Sequence, residues 1–160
     1  MKKIKPYILP YTVSIAIPLA MGILSAALTR EDMKVYGDFT KPPLSPPGIV
    51  FPIVWSALYI LMGISCALVY IHRRSSPSDA RAGLCYYVAS LLFNLGWSII
   101  FFKLQAAFFA LLWLLILFCL VLKYVIYYYK VNMLAAYLQI PYIIWICFAG
   151  YLNLGIWILN

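Results

Sequence analysis

Residues 104–122 read LQAAFFALLWLLILFCLVL, a run with no charged side chain and a single amide. A bilayer's hydrocarbon core is about 30 Å thick and each helical residue rises about 1.5 Å, so roughly 20 apolar residues cross it. This run is of that length, and the chain repeats the pattern. No charge falls between Pro6 and Thr29, Pro42 and Ile71, Ala82 and Phe102, or Val131 and Asn160. Inside lipid a bare N–H or C=O finds no water, so uncharged runs this long must be helices. A membrane β-barrel would need short segments of alternating hydropathy instead. The expectation is an all-α polytopic membrane protein, a bundle of five transmembrane helices. They fall at about 7–28, 48–71, 82–102, 105–128 and 134–158, in one domain over 1–160.

Composition requires the same solvent. Hydrophobic residues make up 66% of the chain and charged residues 10%, with a mean hydropathy of +0.97. Soluble domains are nearer half apolar and a quarter charged. The stretch Met1-Lys2-Lys3-Ile4-Lys5 before an apolar run has the look of a signal peptide, with Ser25-Ala26-Ala27 as a cleavage site. The run is longer than a usual signal core of about 7–15 residues, so it reads as a retained membrane helix.

Lys2, Lys3, Lys5, Arg73, Arg74, Arg81, Lys123 and Lys130 collect on the N-terminal side; Arg30, Lys34, Lys41 and Lys103 lie opposite. The positive-inside rule then places the N-terminus in the cytoplasm and the C-terminus outside, with the cell membrane as the expected location. The net charge of +8 is a topology signal with affinity for anionic lipid headgroups. A nucleic-acid partner is not expected, because no basic patch lies on a soluble domain.

Three connections are short, and the link around Lys103–Gln105 implies a tight antiparallel hairpin. The segment from about 29 to 47 is different. It carries Arg30, Glu31, Asp32, Lys34 and Asp38, then Lys41-Pro42-Pro43-Leu44-Ser45-Pro46-Pro47-Gly48. Prolines this dense fix φ and favour an extended segment. It is either a solvated linker or a lid over the outer mouth of the bundle.

No Asp, Glu or Arg lies within a proposed span, which argues against an ion-coupled pump. The one histidine, His72, ends the second span and reads as interfacial. Cys66, Cys85, Cys119 and Cys147 lack metal-ligand spacing and read as small packing residues. No catalytic residue, metal site or cofactor is expected.

Aromatic surface is abundant instead: 5 Trp, 14 Tyr and 9 Phe, more than an interfacial belt needs. Tyr7, Tyr127, Tyr128 and Tyr129 fit that belt. Trp55, Trp97, Trp113 and Trp145 lie deep within spans. They either pack together or line a slot for a flat apolar ligand. Asn94 and Asn153 favour the slot, since an amide in lipid must face the interior or a ligand. Ala16/Ala20, Gly22/Ala26, Gly63/Ala67 and Ala106/Ala110 permit close helix approach within the chain or in a homodimer. Pro18, Pro52 and Pro141 can kink spans and leave a cavity.

Three stretches resemble one family. Pro46-Pro47-Gly48-Ile49-Val50-Phe51-Pro52-Ile53-Val54-Trp55-Ser56-Ala57-Leu58-Tyr59 with Met62-Gly63 is similar to the second-helix signature of the TspO/MBR family of tryptophan-rich sensory and translocator proteins, also called the peripheral-type benzodiazepine receptor family. Asn94-Leu95-Gly96-Trp97-Ser98 with Phe101-Phe102 resembles its third-helix motif. Pro141-Tyr142-Ile143-Ile144-Trp145 with Ala149 and Leu152-Asn153 resembles its fifth.

The resemblance implies a homodimer of five-helix bundles, each with a pocket beneath the first loop. The pocket would bind porphyrins, sterols or synthetic aromatic ligands, with porphyrin a ligand rather than a cofactor. Carried over, it would use Phe51, Trp55, Asn94, Phe102, Phe109, Trp145, Ala149 and Leu152. Trp55 and Trp145 would be flat walls, Asn94 a polar contact, and Ala149 the residue that keeps room. Leu44 stands where the family's loop has Trp, Trp113 where its fourth helix often has an acid, and Leu154 at a Tyr position of the animal sterol-recognition tail.

Three functions follow as expectations. The first is a membrane receptor, sensor or transporter of tetrapyrroles, with membrane lipid as its surroundings. The second is an enzyme that breaks down bound porphyrin with light or an oxidant. The third is a membrane scaffold.

Overall fold

In a computed structural model covering residues 5–160, five long apolar helices run side by side. Lys2 and Lys3 of the orientation argument lie outside the described residues, as do Met1 and Ile4. The elements are α1 (Lys5–Thr29), a 3₁₀ turn (Asp32–Lys34), α2 (Val35–Asp38), α3 (Val50–His72), α4 (Pro77–Ser98) with a π-helical extension (Ile99–Lys103), α5 (Ala107–Val131), α6 (Met133–Tyr137) and α7 (Ile140–Leu159). No strand occurs among the described residues.

The third span starts earlier than expected, at Pro77 rather than near 82. Proline suits a first helical position because its missing N–H has no partner there. The span also ends in a π turn, in which Leu104 N–H donates to the Ile99 carbonyl at 3.0 Å. Gln105, at φ 52°, then reverses the chain into α5. The fifth span is two helices, split at Leu138–Gln139 just before Pro141. Proline placement decides the kinks. Pro52 falls in the first turn of α3, where it removes no helical hydrogen bond, while α1 runs on through Pro10 and Pro18.

The most extensive packing is α4 on α5 and α1 on α3, and α7 lies against α5. α3 and α7 meet chiefly through rings, Phe51 on Trp145 and Trp55 on Tyr142. Gly63 lets α3 press on the α1 backbone at Ser14 and Ile15, and Gly22 accepts the Tyr59 ring. Ala67 and Ala110 are also buried inside the chain, whereas Ala16 and Ala20 face outward.

Two expectations change. Tyr128 is not interfacial: it is fully buried against Tyr124 and Tyr87. Residues four apart share a helix face, so Tyr124 commits Tyr128 to the core. Three cysteines do no core packing either; Cys85, Cys119 and Cys147 are exposed on the outer wall and only Cys66 is half-buried.

A methyl group at position 63 would meet the Ser14 carbonyl oxygen at 2.7 Å. Gly63→Ala is therefore expected to destabilise the bundle by about 1–3 kcal/mol, as overpacking does. At Gly150 the nearest atom, Leu114 Cδ2, would be 3.7 Å away. Gly150→Ala should stay within about 1 kcal/mol of the parent. Thermal unfolding in detergent compares the pair.

Candidate functional site

Packing leaves a cavity of about 240 Å³ between α1, α3 and the π segment, roofed by Thr29 and Met33. Phe51, Trp55 and Tyr59 come from α3, one turn apart, and Phe102 comes from the π turn. Gly22 and Leu19 of α1 close the far side. Trp55 stacks on Tyr59 with centroids 5.3 Å apart. Hydroxyls at the edge are already engaged: Thr29 donates to Ser25 O at 2.9 Å, Ser56 to Pro52 O at 2.8 Å, and Ser98 to Asn94 O at 3.4 Å. Apart from the Ser25 hydroxyl, what remains is aromatic and aliphatic surface, suited to binding apolar planes.

Asn94 sits one layer below. Its Nδ2 donates to the Tyr59 hydroxyl at 3.0 Å, while its Oδ1 is buried without a partner. Asn153 is fully tied. It accepts from Trp97 Nε1 at 3.1 Å and donates to the Ala107 carbonyl at 2.7 Å, joining α4, α5 and α7. Trp113 Nε1 donates to the Phe93 carbonyl at 2.7 Å, and its ring stacks on Phe93.

Of the eight residues expected from sequence, Phe51, Trp55 and Phe102 line the cavity and Asn94 lies behind Tyr59. Trp145 packs edge-on against Phe51 at 5.9 Å; its other side borders an outer furrow of about 560 Å³ between α3 and α7. That furrow is larger, but it is an apolar groove on the outer wall. Ala149 is half-buried and Leu152 buried on α7. Phe109 is 64% exposed beside Phe108, away from the others. Sequence reading missed Tyr59, although it stands four residues after Trp55 on one helix face. It also missed the α1 wall, whose small and aliphatic residues carry no distinguishing signal.

The proline-rich loop lies across this end of the bundle. Thr40 N–H donates to Asn160 Oδ1 at 2.9 Å, and Asn160 Nδ2 donates back to Thr40 O at 3.0 Å. Tyr151 donates to Pro43 O at 2.7 Å, and Pro42 packs on Gly155, where a side chain would meet it at 2.5 Å. Tyr36 stands edge-on to Phe51 at 5.2 Å and Phe39 to Phe101 at 6.2 Å. Burial pushes the Tyr36 phenol above its ordinary value. Leu44 is 83% exposed at φ 66°.

Residues 14–158 match the TspO/MBR family. The chain belongs to that family. It is 31% identical to the tryptophan-rich protein TspO of Chlorobaculum tepidum, over 96% of this chain and 97% of that one. It is 32% identical to TspO of Archaeoglobus fulgidus over 96% and 98%. It is 30% identical to the translocator protein of Bos taurus over 88% and 84%. This TspO/MBR chain is thus an integral, multi-pass membrane protein, with its loop tied to the last helix.

The Asn160 amide is the loop's main tie. Asn160→Ala is expected to raise hydrogen exchange at the Thr40 amide by about tenfold, matching a lost bond of about 1.4 kcal/mol. Amides in the centre of α5 should be unchanged, which mass-resolved exchange distinguishes.

Proposed function

We propose that this TspO/MBR protein is a membrane receptor or transporter for flat hydrophobic ligands, with porphyrins as the first candidates. The cavity carries the reading: rings from α3 and the π turn, set on α1's small residues at the end of the bundle that the loop crosses. Such surfaces bind planar apolar molecules by stacking and area burial. Behind Tyr59, the buried Asn94 amide oxygen is an unpartnered acceptor that only a shift of the Tyr59 ring would present to a guest. At about 240 Å³ the cavity is below the 300–1,000 Å³ usual for ligand pockets, so a tetrapyrrole enters by parting rings that now touch. Residence in the cell membrane with a cytoplasmic N-terminus, and assembly as a homodimer, belong to the same reading.

A titration of protoporphyrin IX into the detergent-solubilised protein tests it, read by Trp fluorescence quenching and porphyrin absorbance. Trp55→Ala should weaken binding by about tenfold, the upper end for one lost stacking partner. Trp145→Ala, which removes the support of Phe51, should weaken it less. Ala149→Leu should also lower affinity. Saturable binding indifferent to all three substitutions, or no saturable binding, would leave a scaffold role.

A second reading draws on the Trp55–Tyr59 stack, an oxidisable pair in the cavity wall. If light or an oxidant drives breakdown of bound porphyrin there, illumination causes irreversible spectral loss that Trp55→Phe abolishes. Equal loss in Trp55→Phe and the parent removes this option.

A further inference from the structure

At the end opposite the loop, α3 and α4 diverge around a trough of about 700 Å³. Its rim carries Arg73, Arg74 and Arg81, and its floor includes Tyr70, Leu84 and Val88. We propose that this trough is a binding site for one anionic phospholipid, its phosphate at the three guanidinium groups and an acyl chain along α4. The site is separate from the cavity beneath the loop and does not depend on what that cavity binds.

Charge is the first argument. The chain has four acidic residues, and Glu31, Asp32 and Asp38 sit at the other end. The fourth, Asp79, is engaged elsewhere: it pairs with Lys130 at 3.6 Å and accepts from Ser76 Oγ at 2.6 Å. Arg73, Arg74 and Arg81 make no ion pair among the described residues. Three cations around one concavity repel one another and favour an anion. Guanidinium groups suit phosphate because they donate in a planar fork.

Geometry is the second. Arg73 donates to Tyr70 O at 2.5 Å, and its guanidinium lies 3.9 Å from the centre of the Tyr70 ring. It is thereby held at the rim. Arg81, Leu84, Cys85 and Val88 follow one face of α4. From Arg81 to Val88 that face descends about 10 Å toward the centre of the bundle. Cations above and aliphatic surface below match a lipid rather than free phosphate, which has nothing to lay on the floor. A general excess of positive charge at a membrane surface would give no such layering and no dependence on one trough.

The full-length protein, delipidated in neutral detergent, is titrated with phosphatidylglycerol, phosphatidylcholine of the same chains, or inorganic phosphate, and read by native mass spectrometry and thermal shift. One phosphatidylglycerol should be retained per chain in preference to phosphatidylcholine. The Arg73→Gln/Arg74→Gln/Arg81→Gln variant should bind it about a hundredfold more weakly, or roughly 1 kcal/mol for each lost cation. If that variant does not insert, Arg81→Gln alone should weaken binding about fivefold. Lys123→Gln, at the same end but outside the trough, should bind as the parent does. Equal retention of phosphatidylcholine, equal loss in Lys123→Gln, or protection by inorganic phosphate equal to that of the lipid would each overturn the assignment.

Discussion

In hydrocarbon a side-chain amide with no partner at all is costly, and Asn153 and Asn94 turn that constraint into architecture, while the exposed Asn160 adds a third tie at the helix end. Asn153 joins α7 to Trp97 of α4 and to the start of α5. Asn94 joins α4 to Tyr59 of α3. Asn160 joins the end of α7 to the proline loop. Helices in lipid gain little from hiding apolar surface, since the acyl chains are equally apolar; polar ties and close packing must hold them. All three ties lie in the half of the bundle that contains the cavity.

The other half is held differently. Tyr87, Tyr124, Tyr128 and Tyr142 are buried together, with Tyr124 donating to Gln139 at 2.7 Å and Ser65 to the Ala135 carbonyl at 2.6 Å. Ring contacts near 5–6 Å fill this region. Close packing of this kind resists rearrangement, because interiors at native density admit few voids. The molecule thus pairs a dense tyrosine block with a looser region where α3 and α7 touch through a few rings.

The spans could be read from charge-free runs, because bilayer thickness fixes their length and lipid dictates their conformation. Their ends were less legible: the third began five residues early because Pro77 starts a helix well. The π turn carries no sequence mark, since Ile99–Phe102 is as apolar as any α-helical stretch and Lys103 only marks the end of the span. Among candidate site residues, those on α3 and the π turn gathered at one cavity because one face and one turn carry them. Phe109 could not be placed from sequence. Aromatic residues serve core and lipid equally well, and composition does not distinguish an inward ring from an outward one. Tyr128 was misread for the same reason in reverse.

The π turn also determines how the cavity is closed. Phe101 and Phe102 are neighbours in sequence, yet Phe101 is buried against Trp97 and Phe39 while Phe102 faces the cavity. The wider turn sets this register, and such turns recur at functional sites. Phe39 belongs to the loop, so the ring that anchors the loop and the ring that lines the cavity are adjacent on one unusual turn. Lifting the loop would break the Thr40–Asn160 pair and the Tyr151 bond, each worth about 0.5–1.5 kcal/mol net. It would also separate Phe39 from Phe101 and Tyr36 from Phe51. The sum is a few kcal/mol, which a large planar ligand can recover by burying its faces against Trp55 and Phe102. In the binding reading proposed above, a guest that needs the loop lifted would therefore have to bring enough flat apolar area to repay those ties.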